Sequence, residues 1–220
     1  MFIPRIKISI NRNVYIIQTI VCNMKTIINP AFWKILKLFY NNHNTPLHLR
    51  EIARETKRNE SSISRHLNNL VKRGVLKFSK EANLKKFSII KKQIPSIFPL
   101  FDEEKLENLP LLRKEAIKIY LNKLKKKPVL VVVFGSTAKE TFRKDSDIDI
   151  LKISSAKDED EKARDYVNAQ TGLKLQVLNL TEEQFKKELK MKEDYVVQSA
   201  LNVGFPVFNA KYYYEALENE

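Results

Sequence analysis

The sequence predicts an α+β chain of two small domains: three helices closed by a β-hairpin, then a small α/β unit with a mixed sheet. Three observations carry that expectation. The chain has 220 residues, which suits two domains of ~100 residues better than one large core. Its formal charge of +14 is unevenly spread: residues 1–23 carry a net +3, residues 24–127 a net +15 and residues 128–220 a net −4. The apolar pattern also changes at Pro128, from helical spacing before it to an unbroken β-branched run after it. The expected division is an N-terminal extension at 1–23, a first domain at 24–94, a connecting helix region at 95–127 and a second domain at 128–220.

Charge speaks to partners rather than to fold. The cationic excess of the first half favours a polyanion, such as nucleic acid, and leaves the second half a different task. No apolar stretch reaches the ~18 residues of a membrane helix. The nearest candidate, Val14–Met24, is broken by Gln18, Thr19 and Asn23, and no small-residue cleavage site follows it. No membrane partner is expected. Met24 opens a run, M-K-T-I-I-N-P, that reads as a natural start. Cys22 is the single cysteine, so no intrachain disulfide forms, and a reducing, cytoplasmic location is expected. His43, His48 and His66 lack metal-ligand spacing and read as surface or packing residues, His66 also as a weak candidate for contact with DNA.

In the first domain, Phe32, Ile35, Leu36 and Phe39 recur at helical spacing and predict a helix over Ala31–Asn41, broken at Thr45-Pro46. A second helix is expected over Leu47–Thr56, with Leu49, Ile52 and Ala53 inward. A third is expected over Glu60–Arg73, with Ile63, Leu67, Leu70 and Val71 inward, Asn59 as N-cap and Gly74 just past its end. Two strands, Val75–Ser79 and Lys86–Ile90, flank a polar turn at Lys80–Lys85. Three helices and a hairpin make a winged helix. Pro95 and Pro99 mark the boundary, and Glu103–Lys127 reads as a long helix interrupted at Pro110.

The outer faces of the third helix carry Ser61, Ser62, Ser64, Arg65, His66, Asn68 and Asn69, with Lys72 near its end. A helix lying in the major groove needs such a mix, because Asn reads adenine, Arg reads guanine and short hydroxyls reach phosphate or base. Lys80, Lys85 and Lys86 on the wing would neutralise phosphates without reading sequence. The segments L-R-E-I-A-R-E-T (49–56) and S-S-I-S-R-H-L-N-N-L-V-K-R-G-V-L (61–76) resemble winged-helix regulators of the MarR and ArsR type. The resemblance covers about residues 30–92. It implies a recognition helix at 60–73, a wing at 79–86, double-stranded DNA as partner and a homodimer on a palindromic site. A module that binds protein instead, its cations merely solvating one face, is the alternative.

In the second domain, Val129–Phe134 is an apolar β-branched run that predicts a buried strand. Gly135-Ser136 and a short helix follow, then a strand at Asp147–Ile153, a charged helix at Asp158–Thr171 ending at Gly172, and a strand at Lys174–Leu180. Thr181 and Gln184 form a capping box for a helix at Glu182–Lys190. A helix at Glu193–Asn202, a short strand at Phe205–Phe208 and a last turn at Tyr212–Leu217 complete the chain. In a strand, Asp147 and Asp149 point to one face. Two adjacent carboxylates are costly without a compensating cation, and Mg²⁺ shared with triphosphate oxygens is the natural one. Gly135 lets the backbone approach a phosphate, and Ser136 adds a hydroxyl there.

This layout, G-S followed by S-D-I-D-I (146–150) on the next strand, resembles the minimal nucleotidyltransferases of the DNA polymerase beta superfamily, here in an archaeal-type fusion to the winged helix. The match spans about residues 112–217. It implies that Gly135 and Ser136 bind nucleotide, that Asp147 and Asp149 are catalytic and bind metal, and that an NTP serves as ligand or substrate. A helical toxin is an implied partner, since some minimal nucleotidyltransferases work beside a small helical ribonuclease. Two departures from the family pattern stand out. The third carboxylate is expected on the strand K-L-Q-V-L (174–178), where Gln176 faces the acidic pair, and Glu140 occupies a position where many relatives have Gly. The expected function is a DNA-binding transcriptional regulator carrying a nucleotide-binding domain; the alternative is an active nucleotidyltransferase.

Overall fold

The structure, a computed structural model, describes residues 29–81, 84–155 and 160–218. The N-terminal extension, Cys22 and the start at Met24 lie outside those residues.

Helix α1 (Pro30–Asn41) begins where Asn29 caps it, the Asn29 side chain accepting from the Ala31 N–H at 2.8 Å. It buries Trp33, Ile35, Leu36 and Phe39. The helix expected over 47–56 starts two residues late. Leu47–His48 form a short strand, β1, and α2 runs over Leu49–Thr56. The Glu51 carboxylate accepts from the His48 N–H at 3.4 Å, which makes His48 the cap. Helix α3 (Glu60–Lys72) is capped as expected, Asn59 accepting from the Ser62 N–H at 2.8 Å. Its end turns through Gly74 at φ +69°.

Strands β2 (Leu76–Glu81) and β3 (Leu84–Ile89) pair antiparallel with Glu81 opposite Leu84, and β1 joins the far side of β3. The wing strands therefore run through most of the polar turn expected at 80–85. Side-chain polarity did not stop them, because an exposed ladder tolerates polar residues on its solvent face.

The two prolines expected at the boundary lie within one helix of the connecting region. Helix α4 (Ile94–Asn108) contains both: Pro95 lies in its first turn, where its missing N–H costs nothing, and Pro99 lies inside it. The break expected at Pro110 is real. Leu109 leaves the helical region at φ −62°, ψ 150°, and α5 (Leu111–Lys123) starts anew. Helix α4 lies between the halves. Its Phe98 and Phe101 stack on Trp33 and Tyr40 of α1, and Phe98 also on Tyr214 of α10 (Ala210–Glu218).

The second half is built on strands β4 (Leu130–Phe134), β5 (Ile148–Ser154), β6 (Leu175–Thr181) and β7 (Phe205–Phe208). Their order among the described residues is β6-β5-β4-β7. The β5–β6 pair is parallel and the others antiparallel, giving the mixed sheet the sequence predicts. Alternation sorts the side chains. Leu130, Val132, Leu151 and Ile153 face α8 (Glu182–Met191), α9 (Tyr195–Val203) and α10, in one core with the winged helix. Val131, Val133, Ile148 and Ile150 face α5 and α7 (Glu161–Thr171) in another. Helix α7 starts three residues later than expected, at Glu161. The short helix α6 (Gly135–Lys139) follows β4 directly. Among the described residues no helix is long and apolar enough to cross a membrane.

Candidate functional site

The acidic pair sits where β5 begins. The parallel ladder sets Asp149 opposite Gln176 of β6, and the Gln176 amide donates to Asp147 Oδ2 at 2.8 Å. The expectation that Gln176 faces the pair thus describes the geometry. Gly135 closes the site from β4. It adopts φ +64°, and a β-carbon there would overlap the Asp149 carboxylate. Only glycine allows the turn from β4 into α6 to lie so close to this acid. The Ser136 backbone N–H hydrogen-bonds the Asp149 carboxylate. Burial raises the Asp149 pKa above the ordinary carboxylate value, and the neighbouring Asp147 charge raises it further; Arg113 and the Ser136 N–H act against both. These four residues, Gly135, Ser136, Asp147 and Asp149, come together as the sequence groups them.

Glu140 ends α6 in the left-handed region, at φ 58°, ψ 27°. That conformation is one glycine adopts freely, and it accounts physically for the glycine that the resembling family carries there.

Sequence reasoning missed Arg113. It lies on α5, buried with Ala116, Ile117 and Tyr120 on one helical face. Its guanidinium donates to Thr137 Oγ1 and to the carbonyls of Arg143, Ser146 and Asp147, at 2.7–3.5 Å. Burial lowers its pKa from the ordinary arginine value, while Asp147 and Asp149 oppose that shift. The available signal was an arginine at an inward position, since 113, 116, 117 and 120 follow the i, i+3, i+4, i+7 spacing.

Among the described residues no group of three or more His, Cys, Asp or Glu side chains could hold a metal. Two carboxylates and an amide do not make a protein-only cage. They do fit Mg²⁺, which commonly takes one or two protein carboxylates and completes its shell with phosphate and water. A cleft of about 360 Å³ opens elsewhere, between α1, α4, α6, α9 and α10. Neither Asp147 nor Asp149 lines it.

On the winged helix, Ser61, Arg65, Asn68 and Lys72 of α3 are exposed, and Ser62 and Ser64 half-buried. His66 packs edge-on against Phe32, ring centroids 5.4 Å apart. Lys80 and Lys85 of the wing are exposed, Lys85 lying 4.9 Å from the Phe78 ring centroid. Lys86 differs: it forms an ion pair with Glu81 across the hairpin.

Two families match separate parts of the chain. The model described as IclR helix-turn-helix domain matches residues 34–79, and that described as nucleotidyltransferase domain matches residues 114–211. No curated protein matches the chain. A solved structure described as the crystal structure of the toxin-antitoxin with AMP-PNP is similar over 48% of this chain and 81% of its own, at 17% identity and a TM-score of 0.35. The chain thus joins a region that matches helix-turn-helix domains to a region that matches nucleotidyltransferase domains.

Proposed function

We propose that the protein is a DNA-binding transcriptional regulator whose second domain binds a nucleoside triphosphate together with a divalent cation such as Mg²⁺. The observation that supports it best is the joint placement of Asp147 and Asp149 against Gly135-Ser136, with Gln176 bonded to Asp147 where the family pattern has a third carboxylate. Asp147 and Asp149 would hold the cation. Gly135 and the Ser136 hydroxyl would meet the triphosphate. When bound, the cation supplies Lewis-acid charge on the phosphate oxygens. Gln176 carries no negative charge and accepts no proton at neutral pH, so it cannot act as base toward an acceptor hydroxyl. Binding without turnover follows from that substitution.

The winged helix would dock α3 in the major groove of duplex DNA, with Arg65 and Asn68 nearest the base edges and Lys80 and Lys85 on phosphates. Membership in the MarR/ArsR range of regulators, an archaeal-type fusion, and binding as a homodimer to a palindrome belong to this reading. The test is a gel-shift or anisotropy titration against duplex DNA, including the gene's own upstream region, with Mg²⁺ and each NTP present or absent. Salt-dependent binding that nucleotide modulates is expected. Duplex binding that is absent at low salt refutes the regulator.

A second reading keeps one specific observation, the retention of both aspartates: active transfer of a nucleoside monophosphate to a protein or nucleic-acid hydroxyl. Labelled NTP with Mg²⁺ or Mn²⁺ should then label an acceptor, and Asp149→Asn should abolish the label. Pairing with a helical toxin is examined by co-purification with the product of the adjacent reading frame.

A further inference from the structure

The nucleotide reading uses two segments, α6 and the loop that delivers Asp147, and both rest on one side chain that it leaves idle. Arg113 is 3% exposed. Its Nη1 donates to Thr137 Oγ1 of α6 at 2.9 Å and to the Asp147 carbonyl at 3.5 Å. Its Nη2 donates to the carbonyls of Arg143 and Ser146 at 2.8 and 2.7 Å. Its plane covers Phe142, with Cζ 4.1 Å from the ring centroid. All four acceptors are neutral oxygens, so these bonds leave the guanidinium's charge uncancelled. One planar fork thus clamps the segment carrying Gly135 and Ser136 to the segment carrying Asp147.

We infer that Arg113 is a positioning residue for the nucleotide–cation site. The inference rests on the nucleotide reading and deepens it. The clamp fixes the height of Asp147 relative to Asp149 and holds the Gly135-Ser136 turn against both. The uncancelled positive charge lies beneath two carboxylates that repel each other, and keeps them together before the divalent cation arrives. Buried under Phe142 and the loop, Arg113 does not reach the nucleotide. Lysine cannot replace it: an ammonium is a point charge without the planar fork needed to span two segments.

The experiment uses the full chain and measures Mg²⁺-dependent binding of ATP, GTP, CTP and UTP by calorimetry, well below each variant's melting temperature. Wild type is compared with Arg113→Lys, Arg113→Met, Thr137→Val and Asp149→Asn. The expected order of affinity is wild type, then Thr137→Val weaker by a few-fold, Arg113→Lys weaker by tenfold or more, and Arg113→Met weaker still. DNA binding by the winged helix in the absence of nucleotide should be unchanged in all of them. A purely architectural arginine would lower the melting temperature but leave the affinity of folded molecules intact, and that result overturns the inference. Should Arg113→Met fail to fold, Thr137→Val and Arg113→Lys decide, since each retains part of the clamp. If Asp149→Asn binds nucleotide as wild type does, the nucleotide reading itself fails and takes the inference with it. If Asp149→Asn loses binding while the Arg113 variants keep it, only the inference fails.

Discussion

At the scale of single residues, two positions at the site, Gly135 and Glu140, hold left-handed backbone. Gly135 sits at φ +64° with the Asp149 carboxylate in the space of a side chain. Gly135→Ala must displace that acid or distort the turn, so it is expected to lower stability by about 1–3 kcal/mol in urea titration. It should also abolish Mg²⁺-dependent nucleotide binding. Glu140 presents the opposite situation, a residue with a side chain held in the left-handed conformation at φ 58°. Relief of the β-carbon clash outweighs the extra freedom glycine gives the unfolded chain. Glu140→Gly is therefore expected to stabilise the protein by about 0.5–1 kcal/mol in the same assay. An unchanged or lower midpoint would show that Glu140 is held there by something other than local geometry, its electrostatic attraction to Lys105 being the first candidate.

At the scale of elements, the wing separates cations that the sequence treats alike. Lys80 and Lys85 face solvent, whereas Lys86 is already paired with Glu81. Each phosphate contact contributes about one to the slope of log affinity against log salt. Lys80→Ala should therefore reduce that slope by about one, and Lys86→Ala by distinctly less, because Glu81 already offsets its charge. Equal losses in a salt titration would mean that DNA breaks the Lys86–Glu81 pair. The difference was not legible in the sequence, since register across a hairpin decides which wing residues meet. What was legible follows from short-range rules. Asn59 caps α3, Thr181 and Gln184 box α8, and Gly74 and Gly172 end helices, because each needs only a few neighbouring residues. The G-S and D-x-D motifs carried their own spacing into the site. Long-range choices were not legible. Leu47–His48 became a strand because β3 offers it an edge, and α4 runs through Pro95 and Pro99 because its aromatic residues bridge two domains. Arg113 was visible only as an odd residue on an inward face, and its partners lie 24–34 positions downstream.

At the scale of the whole molecule, the two halves meet around a buried acid. Asp102 of α4 is 2% exposed, and it accepts from Tyr40 of α1 at 2.8 Å and from Tyr214 of α10 at 2.8–3.0 Å. A tie from α1 to the same helix runs from Lys37 to Glu104 at 2.9 Å. Burial pushes the Asp102 carboxyl up from 3.8 to about 8, although both tyrosines and the nearby Lys105 favour its ionised form; Glu103 adds to the rise. In the unfolded chain the same group loses its proton near 3.8. Between those two values the folded state holds a proton that the unfolded state has released, so stability must decline as pH rises across that window. This is the reverse of the usual salt-bridged aspartate. The expected outcome is a melting temperature that falls by several degrees between pH 5 and pH 8, with one cooperative transition if the halves unfold together. Asp102→Asn keeps a carbonyl oxygen for the tyrosines and carries no charge at any pH. It should match wild type near pH 5, exceed it near pH 8 and flatten the slope between. A wild-type profile that rises over this range, or a slope that survives in Asp102→Asn, would place the proton on another group. If the variant instead shows two transitions where wild type shows one, the Asp102 carboxyl is what makes the DNA-binding and nucleotidyltransferase halves a single cooperative unit.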